Sequence, residues 1–297
     1  MVGAALRNHL PNAVFVSSRD CDLKDAISVD RLMSEQKPEY VIHLAARVGG
    51  VKANSDYIGE FFLDNILINA NVLEASRKHN VKKVISILST CVYPDSVTYP
   101  LTECQFHNGA PHDSNYGYAY AKRMLDVQSR AYRQQYGCNF ITAIPNNLFG
   151  ENDNYDLENS HVIPAIMRKM HEAKLSNENV VLWGDGSPLR EFTYSKDLAE
   201  ILLFLLEHYD EPGPINVGNT QEYSIKEVAE MIAEIVGFDG KIVWDTSKPM
   251  GQHRKPSDNS KLIELGWKQE NYTDLKKDLT ETYKWVILNY PNLRGMS

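Results

Sequence analysis

Short apolar runs alternate with longer amphipathic segments through the first half of the chain. Apolar runs of this length predict strands of a parallel sheet, because such strands are covered on both faces. They lie at 14–16, 40–44, 84–88 and 140–144. Segments 61–78 and 119–136 have the periodicity of helices. This alternation predicts an α/β fold with a Rossmann-type, doubly wound parallel sheet.

The pattern changes near residue 151, where clusters of Asn, Asp and Gly interrupt shorter elements. Pro164 fits the first turn of a helix that runs to about Lys174. Ser224 and Glu227 form a capping box for a helix that ends near Gly237.

Two further segments complete the predicted domain organisation. Segment 241–244 is a short strand, and 195–209 returns to the first sheet as a helix. We therefore predict a Rossmann domain at 1–150, to which 195–218 returns. Segments 151–194 and 219–297 form mainly a smaller α/β substrate-binding domain.

The amino terminus lacks one piece of the predicted fold. A dinucleotide-binding fold opens with a strand and a glycine-rich turn that holds the pyrophosphate at a helix N-terminus. Here only Gly3 and the helix after it match, and Gly3 is equally a helix-start glycine. We expect the first strand and the glycine-rich turn to be missing from this chain. Met1 is then an internal methionine or a late start codon. The chain as written should therefore bind a dinucleotide weakly.

Composition narrows the classes of partner. The chain has 297 residues, 43% of them apolar, and a formal charge of −8, which argues against a nucleic-acid or membrane-surface binder. No apolar run approaches the roughly 18 residues of a membrane helix, and no signal peptide opens the chain. The four cysteines show no metal-binding spacing. We expect a cytoplasmic protein with free thiols and no metal.

Tyr118 and Lys122 are the first candidate catalytic residues. They are four positions apart on a predicted helix, so the ammonium lies beside the phenol and favours the phenolate. This spacing alone usually marks a solvated helix face. Ser89 strengthens the catalytic interpretation of Tyr118 and Lys122. It directly follows the apolar run 84–88, and open α/β sheets bind their ligands at the ends of such strands.

Ser89, Tyr118 and Lys122, in this order after a βαβ half, resemble the extended short-chain dehydrogenase/reductases, which act on nucleotide sugars. Four flanking motifs resemble the GDP-L-fucose synthase family over essentially the whole chain. They are Ser-Thr-Cys-Val-Tyr-Pro at 89–94, Pro-Asn-Asn-Leu-Phe-Gly at 145–150, Asn-Ser-His-Val-Ile-Pro at 159–164 and Arg-Glu-Phe at 190–192.

The resemblance implies an NADPH-dependent 3,5-epimerase and 4-reductase acting on GDP-4-keto-6-deoxy-D-mannose. It assigns Cys91 as base and His161 as acid, since a thiol pKa of about 8.5 and an imidazole pKa of about 6.5 bracket neutrality. Tyr118 protonates the C4 oxygen. Ser89 orients the carbonyl, and Lys122 lowers the pKa of Tyr118 and holds the nicotinamide ribose. Cys91 is otherwise a buried filler and His161 a helix cap.

The resemblance also implies a cofactor groove. Its residues are Gly3, Arg19, Ala45, Ala46, Ile87, Leu88, Ser89, Thr90, Lys122, Pro145, Asn146, Asn147, Leu148 and His161. Ser17, Ser18 and Arg19 favour NADP(H), because a NAD enzyme places an acidic residue there. Asp20 weakens that argument.

For the GDP-sugar, the resemblance implies five binding residues: Lys169, Trp183, Arg190, Met250 and Arg254. We expect the Arg190 guanidinium to form bidentate hydrogen bonds with phosphate oxygens. Lys169 is equally a solvated surface charge. In that family an acidic residue usually occupies the position of Met250, so this chain departs from the family pattern there. Arg254 and its neighbour Lys255 are available to the phosphates.

Helix 61–78 carries apolar residues on all of its faces, whereas packing against one core needs only a single apolar stripe. The excess predicts a homodimer with an interface built from helices 61–78 and 119–136.

Two alternatives remain for the function. One is another nucleotide-sugar 4-epimerase or dehydratase, against which the pair Cys91 and His161 argues. The other is a non-catalytic nucleotide-sugar-binding relic that lacks the cofactor strand.

Overall fold

Nine strands and ten α-helices form within residues 1–248 and 253–296, the part of the chain that the structure, a computed structural model, describes. The strands are β1 (Tyr40–His43), β2 (Lys83–Ile87), β3 (Phe140–Pro145), β4 (Asn147–Phe149), β5 (Val180–Trp183), β6 (Leu189–Tyr194), β7 (Pro214–Val217), β8 (Glu222–Ser224) and β9 (Ile242–Asp245). The helices are α1 (Val2–Arg7), α2 (Ala26–Gln36), α3 (Val51–Asp56), α4 (Ile58–Lys78), α5 (Tyr116–Tyr136), α6 (Val162–Ser176), α7 (Ser195–His208), α8 (Ile225–Val236), α9 (Ser260–Glu264) and α10 (Leu275–Asn289).

The main sheet is parallel throughout, in the order β1–β2–β3–β7. Every residue of β2 and β3 is buried, because side chains alternate between two covered faces. Ile85 and Ile141 pack against α1 and α7 on one face. Val84 and Phe140 pack with residues of α4 and α5 on the other. The predicted doubly wound α/β architecture is confirmed.

Three of the four strands predicted for the first half form, and both predicted helices form with longer bounds. The strand predicted at 14–16 is wrong. Val14 and Val16 are exposed to 61% and 41%, and no neighbouring strand forms a ladder with this segment among the described residues. An apolar run becomes a strand only where a partner pairs with it. Strand β1 itself pairs only with β2 in the described sheet.

The second half builds a separate hydrophobic cluster. Strands β4, β6 and β8 form one sheet and β5 and β9 another, and helices α6, α8 and α10 bury apolar residues against them. Pro164 lies in the first turn of α6, and the capping box of Ser224 and Glu227 opens α8, whose C-cap is Gly237. These predictions are confirmed.

Helix α7 returns to the first sheet as predicted, with Leu198, Ile201 and Leu202 in the core that β2 and β3 share. Leu262 and Trp267, which follow much later in the chain, pack in that same core. The proposed division into two domains stays a prediction. In the described part of the chain, no helix combines the length and apolarity needed to cross a bilayer.

Candidate active site

The first candidate cluster lies where β2 ends. Ser89 follows the strand by two residues and caps a short 3-10 helix, Thr90–Val92, with its Oγ accepting from the Cys91 amide at 3.5 Å. The cap places Ser89 and Cys91 next to each other at the carboxyl edge of the sheet. Parallel α/β sheets bind their ligands at this edge.

Helix α5 brings Tyr118 and Lys122 to the same edge. Lys122 is 2% exposed, and its Nζ donates to the Ile87 carbonyl at 2.7 Å. The same Nζ lies 5.9 Å from the centroid of the Tyr118 ring. The sequence prediction that one helix face carries both side chains is therefore confirmed, and the hydrogen bond ties that face to the end of β2.

The expected lowering of the Tyr118 pKa is wrong for this structure. Burial raises the pKa of Tyr118, and the nearby Cys91 adds to the increase. Burial also lowers the pKa of Lys122 to about 8. The ammonium donates to a backbone carbonyl instead of the phenol, so desolvation of the phenolate dominates. Tyr118 is held as a phenol, which is the form that can donate a proton.

Arg123, which no sequence pattern indicates, connects α5 to the short helix that follows Ser89. It is buried, and its Nε donates to the Val92 carbonyl at 2.6 Å while Nη1 donates to the Gly109 carbonyl at 2.6 Å. Its guanidinium lies 5.3 Å from the centroid of the Tyr120 ring. Tyr120 therefore packs on Arg123. Only the burial of an arginine next to Lys122 signals this role, and burial is not visible in the sequence.

Two lysines act on the Cys91 thiol. Burial raises the pKa of Cys91, while Lys255, the Ser89 hydroxyl and Lys122 act in the opposite direction. Burial also lowers the pKa of Lys255, which interacts electrostatically with Cys91 and Arg190. Lys255 therefore adds a positive charge to the surroundings of the thiol, which its position in the sequence did not indicate.

His161 occupies the N-cap position of α6, with extended backbone angles of φ −76° and ψ 171°. Its side chain is exposed and makes no capping hydrogen bond. The imidazole is therefore not used to terminate the helix, and it stays accessible to solvent.

A cavity of about 220 Å³ opens directly beside the start of α6. It is lined by Asn147, Val162, Trp183, Gly186, Pro188, Arg190 and Ile225. Arg190 donates through Nη1 to the Leu189 carbonyl at 2.7 Å, and Trp183 is 58% exposed. The cavity thus brings together two predicted substrate residues, Trp183 and Arg190, with one residue from the predicted cofactor set, Asn147.

The other predicted substrate residues lie elsewhere. Lys169 lines a different cavity, of about 290 Å³, and donates to the Val181 carbonyl at 3.0 Å. Arg254 is exposed and paired with Glu222, its Nε donating to both carboxylate oxygens at 2.8 and 2.9 Å. Met250 lies outside the described residues. The roles of these three residues stay predictions.

The predicted cofactor residues follow the carboxyl ends of β1, β2 and β3. Ala45 and Ala46 are half-buried after β1, while Ile87 and Leu88 are buried at the end of β2. Pro145 ends β3, and Leu148 lies half-buried on β4. Thr90 begins the short helix next to Ser89.

Asn146 differs from the other predicted groove residues, because its side chain is fully engaged in the interior. Its Oδ1 accepts from the Thr193 hydroxyl at 2.6 Å, and its Nδ2 donates to the Asn219 carbonyl at 2.8 Å. Nδ2 also donates to Glu191 at 3.3 Å. Asn146 holds β3 against the second half of the chain and has no side-chain donor left for a ligand.

The residues present suit a 2′-phosphorylated dinucleotide. In the sequence, Asp20 weakened the prediction of NADP(H). In the structure the Ser17 amide and hydroxyl donate to the Asp20 carboxylate at 2.8 and 2.6 Å. The Arg19 side chain is exposed. A methyl group added to Gly3 would meet only Leu44, at 3.8 Å, so the start of α1 leaves open space. An exposed guanidinium can bind a phosphate monoester.

Serine, tyrosine and lysine gathered at the carboxyl edge of a parallel sheet define an oxidoreductase of the short-chain dehydrogenase type. Residues 3–218 match the model of the NAD dependent epimerase/dehydratase family, and the chain belongs to that family.

Known proteins resemble the chain over nearly its full length. GDP-L-fucose synthase of Dictyostelium discoideum is 46% identical over 283 residues, covering 95% of this chain and 88% of the relative. A GDP-L-fucose synthetase from Naegleria fowleri, solved with NADP bound, superposes with a TM-score of 0.93 at 39% identity, covering 99% of this chain and 92% of that one. A GDP-mannoheptose C4 reductase from Campylobacter jejuni, also with NADP bound, gives 0.86 at 33% identity, covering 96% and 94%.

Proposed function

We propose that the chain is a GDP-L-fucose synthase, which converts GDP-4-keto-6-deoxy-D-mannose to GDP-L-fucose with NADPH. The observation that carries this proposal is the placement of Cys91 beside Ser89, at the sheet edge that Tyr118 and Lys122 share. A thiol at this position provides a base next to the residues that polarise a carbonyl. The 46% identity with the Dictyostelium discoideum enzyme supports it.

In the epimerisation steps, the C4 carbonyl acidifies the hydrogens at C3 and C5, because the carbanion delocalises into an enolate. Cys91 removes the proton, and the cations of Lys255 and Lys122 favour its thiolate. Ser89 and Tyr118 hydrogen-bond the developing enolate oxygen. His161, accessible to solvent, returns a proton to the opposite face.

The reduction uses the same carbonyl polarisation. NADPH, when bound, supplies the hydride to C4. Tyr118 donates its phenolic proton to the C4 oxygen, and its raised pKa keeps that proton in place until the alkoxide develops. Ser89 orients the oxygen, while Lys122 stabilises the resulting negative charge. One pocket can therefore serve two epimerisations and one reduction.

The GDP moiety is held at the cavity between α6 and β6. Arg190 supplies a guanidinium for the diphosphate, Trp183 an exposed ring, and Asn147 an amide. Lys255 interacts with Arg190 and adds a second positive charge. Lys169 and Met250 belong to the proposed set, and Arg254 joins it if a phosphate replaces Glu222 as its partner.

The direct test is turnover of GDP-4-keto-6-deoxy-D-mannose with NADPH in D₂O, with products identified by NMR. We expect GDP-L-fucose carrying deuterium at C3 and C5. Cys91→Ser should suppress the deuterium incorporation, because a serine hydroxyl is far too weak a base near neutral pH. Cys138→Ser is the matched control and should exchange normally.

Three other outcomes of that assay have defined meanings. Reduction without deuterium incorporation would identify a C4 reductase and contradict the proposal. Binding of the GDP-sugar without turnover would indicate a non-catalytic relic. Normal exchange in Cys91→Ser would show that Cys91 is a packing residue and that the base lies elsewhere.

We also propose a homodimer formed by α4 and α5. Apolar side chains of both helices are exposed, including Phe62 at 43%, Leu63 at 56% and Val127 at 42%. The two helices pack directly on each other, so these side chains can form one continuous surface. Sedimentation at micromolar concentration should show a dimer, and Leu63→Lys should shift it toward monomer. A wild-type chain that sediments only as a monomer would contradict this.

A cytoplasmic location is the remaining part of the proposal. All four cysteines are free thiols, which suits a reducing compartment. Microscopy of a fluorescent fusion should show a diffuse cytoplasmic signal.

A further inference from the structure

Two buried polar side chains, His43 and Asn69, connect the main sheet to helix α5. His43 ends β1 and is 4% exposed, and Asn69 lies on α4 and is 2% exposed. His43 Nε2 lies 3.0 Å from Asn69 Oδ1, and Asn69 Nδ2 donates to the Ala121 carbonyl at 3.1 Å. Ala121 lies between Tyr118 and Lys122 in the sequence, so the contact is made within the turn 118–122 that carries both of these side chains.

The Ala121 carbonyl fixes the orientation of the whole pair. A backbone carbonyl only accepts, so the amide nitrogen of Asn69 faces Ala121 and the amide oxygen faces His43. The imidazole must then carry its hydrogen on Nε2. Burial and the charge of Lys122 lower the pKa of His43 to about 4, although the bond to Asn69 opposes this shift. His43 is therefore neutral near pH 7 and has one N–H, which Asn69 uses.

Two adjacent strands hold the turn 118–122 at the same level of the sheet. Lys122 Nζ donates to the Ile87 carbonyl at 2.7 Å, at the end of β2. His43 is the register partner of Ser86, the residue before Ile87. The bond to Ile87 holds the side chain of Lys122, while the bond from Asn69 holds the backbone directly before it. Side chain and backbone are therefore fixed by separate contacts.

Helix α4 also reaches this turn through Phe61. The rings of Phe61 and Tyr118 meet edge to face, with their centroids 6.4 Å apart. Apolar contact is not directional, so it tolerates small displacements of the turn. A hydrogen bond weakens steeply when its angle departs from the preferred range. Asn69 therefore supplies a directional contact where Phe61 supplies only packing.

Stability alone does not account for the polar pair. Replacing both partners of a buried hydrogen bond by apolar groups of the same shape can be neutral or stabilising. Val72 and Leu73 on the same helix fill buried positions with apolar side chains. A fully bonded polar network instead specifies one arrangement of the groups that it joins. Here the groups joined are β1, α4 and the turn 118–122.

We propose that Asn69 and His43 are positioning residues for the reduction: their hydrogen bonds fix the turn 118–122 so that the Tyr118 hydroxyl and the Lys122 ammonium keep their places at the end of β2. This role rests on the proposed function. Tyr118 gives its proton to the C4 oxygen as the hydride arrives, and a small displacement of the phenol is enough to slow that step. Neither Asn69 nor His43 exchanges a proton in it.

The test compares Asn69→Leu with Asn71→Leu. Asn71 lies on the same helix, but its Nδ2 donates to the carbonyls of Leu23 and Lys24. Both substitutions remove an amide that bonds to backbone, so both should lower the melting temperature. With saturating GDP-4-keto-6-deoxy-D-mannose, we expect Asn69→Leu to slow NADPH oxidation per folded molecule about ten-fold, with an unchanged KM for the sugar. Asn71→Leu should keep the wild-type rate. The amplitude of the thermal transition gives the concentration of folded enzyme.

Two substitutions at His43 separate the hydrogen bond from the packing. Glutamine and methionine are similar in length and volume, but only glutamine can donate to Asn69 Oδ1. His43→Met should slow NADPH oxidation about ten-fold, whereas His43→Gln should slow it less than about three-fold. Nitrogen NMR of the wild type checks the tautomer, and we expect the neutral imidazole with its hydrogen on Nε2. A hydrogen on Nδ1 would contradict the bond to Asn69.

Equal rates per folded molecule in Asn69→Leu and the wild type overturn this positioning role, even if the variant melts at a lower temperature. An equal loss in Asn71→Leu does the same, because the effect is then not specific to the turn. Equal losses in His43→Gln and His43→Met show that packing, and not the hydrogen bond, holds the turn. If Asn69→Leu does not fold, the comparison at His43 decides. A wild-type enzyme that does not oxidise NADPH with this sugar overturns the proposed function, and the positioning role with it.

Discussion

The two halves of the proposed site are held in opposite ways. The inner half, Ser89, Cys91, Tyr118 and Lys122, lies at the end of β2 and on α5, where Lys122 is 2% exposed. The outer half, His161, Trp183 and Arg190, lies on α6, β5 and β6, where the His161 and Trp183 side chains are exposed.

This difference follows from what each half has to do. In the proposed function the inner half transfers protons to and from carbon and oxygen, and its burial shifts the pKa values of Cys91, Tyr118 and Lys122. The outer half, in the same proposal, admits a large anionic nucleotide and exchanges a proton with water. Interior hydrogen bonds therefore fix the inner half, whereas the outer half stays open to solvent.

The largest effect expected is in the inner half, from Tyr118→Phe. The C4 alkoxide would lose its proton donor, so hydride transfer measured by NADPH oxidation should fall by about 10² to 10⁴. Deuterium exchange at C3 and C5 should fall less, because Ser89 still polarises the carbonyl. Tyr120→Phe is the control, since Tyr120 packs against Arg123. Normal NADPH oxidation by Tyr118→Phe would rule out this assignment.

A second comparison concerns Lys255 and its neighbour Arg254, which join the two halves differently. Lys255 interacts electrostatically with Cys91 and Arg190, whereas Arg254 is paired with Glu222. Lys255→Met should slow deuterium exchange about ten-fold, because the thiolate loses a cation. Lys268→Met, at an exposed ion pair with Glu270, is the control and should change it less than about three-fold, since exposed ion pairs contribute little. Equal losses in the two variants would contradict the placement of Lys255.

Sequence patterns predicted the inner half better than the outer half. The strand β2 and the helix α5 have strong periodicities, so the sequence alone places Ser89, Tyr118 and Lys122 at one sheet edge. The direction of the Tyr118 pKa shift could not be predicted, because it depends on where the Lys122 ammonium donates. The strand expected at 14–16 failed for a related reason, since pairing is not encoded in the apolar run alone.

In the outer half, long-range contacts decide which cations are accessible. The sequence does not distinguish Lys169, Arg254 and Lys255. In the structure Lys169 lines a different cavity, Arg254 is paired with Glu222, and the charge of Lys255 acts on the Cys91 thiol. Asn146 shows the same effect, because its bonds to Thr193 and Asn219 join segments far apart in the chain. No local pattern contains that information.

The packing of α5 on α4 offers a smaller test of the inner half. A methyl group added to Gly117 would lie 2.5 Å from the Ile58 carbonyl oxygen, a backbone atom that cannot move aside cheaply. Gly117→Ala should destabilise the fold by about 1–3 kcal/mol and displace Tyr118, lowering NADPH oxidation.

Gly59→Ala is the matched control for Gly117→Ala, since Gly59 is also helical and an added methyl group would meet nothing within 4 Å. It should stabilise α4 by up to about 1 kcal/mol. Thermal melts of the two variants that shift equally would contradict the close contact with Ile58.

The smallest effect expected is at the junction of the two hydrophobic cores, where α7 and α10 each contribute a buried aspartate. Thr273 Oγ1 contacts Asp197 at 3.0 Å and Asp278 at 2.7 Å. One hydroxyl has one hydrogen and can donate to only one carboxylate. A protonated Asp278 resolves this, because it donates to Thr273, which donates to Asp197. Burial accordingly raises the pKa of Asp278 to about 7.

Asp278→Asn should therefore stabilise the protein in a pH-dependent way. In the unfolded chain this carboxyl has its ordinary pKa of 3.8, so between pH 4 and pH 7 the folded state retains a proton that the unfolded state has released. The contribution of Asp278 to stability then falls as the pH rises through this window and stays low above pH 7. Asparagine provides the donor at every pH, so the variant should gain about 1 kcal/mol, or a few degrees in melting temperature, at pH 8 and nearly nothing at pH 4. Glu270→Gln, at an exposed carboxylate paired with Lys268, should show no such dependence. Melting temperatures at pH 4, 6 and 8 measure this, and an equal difference from the wild type at all three would mean that Asp278 does not titrate at the junction.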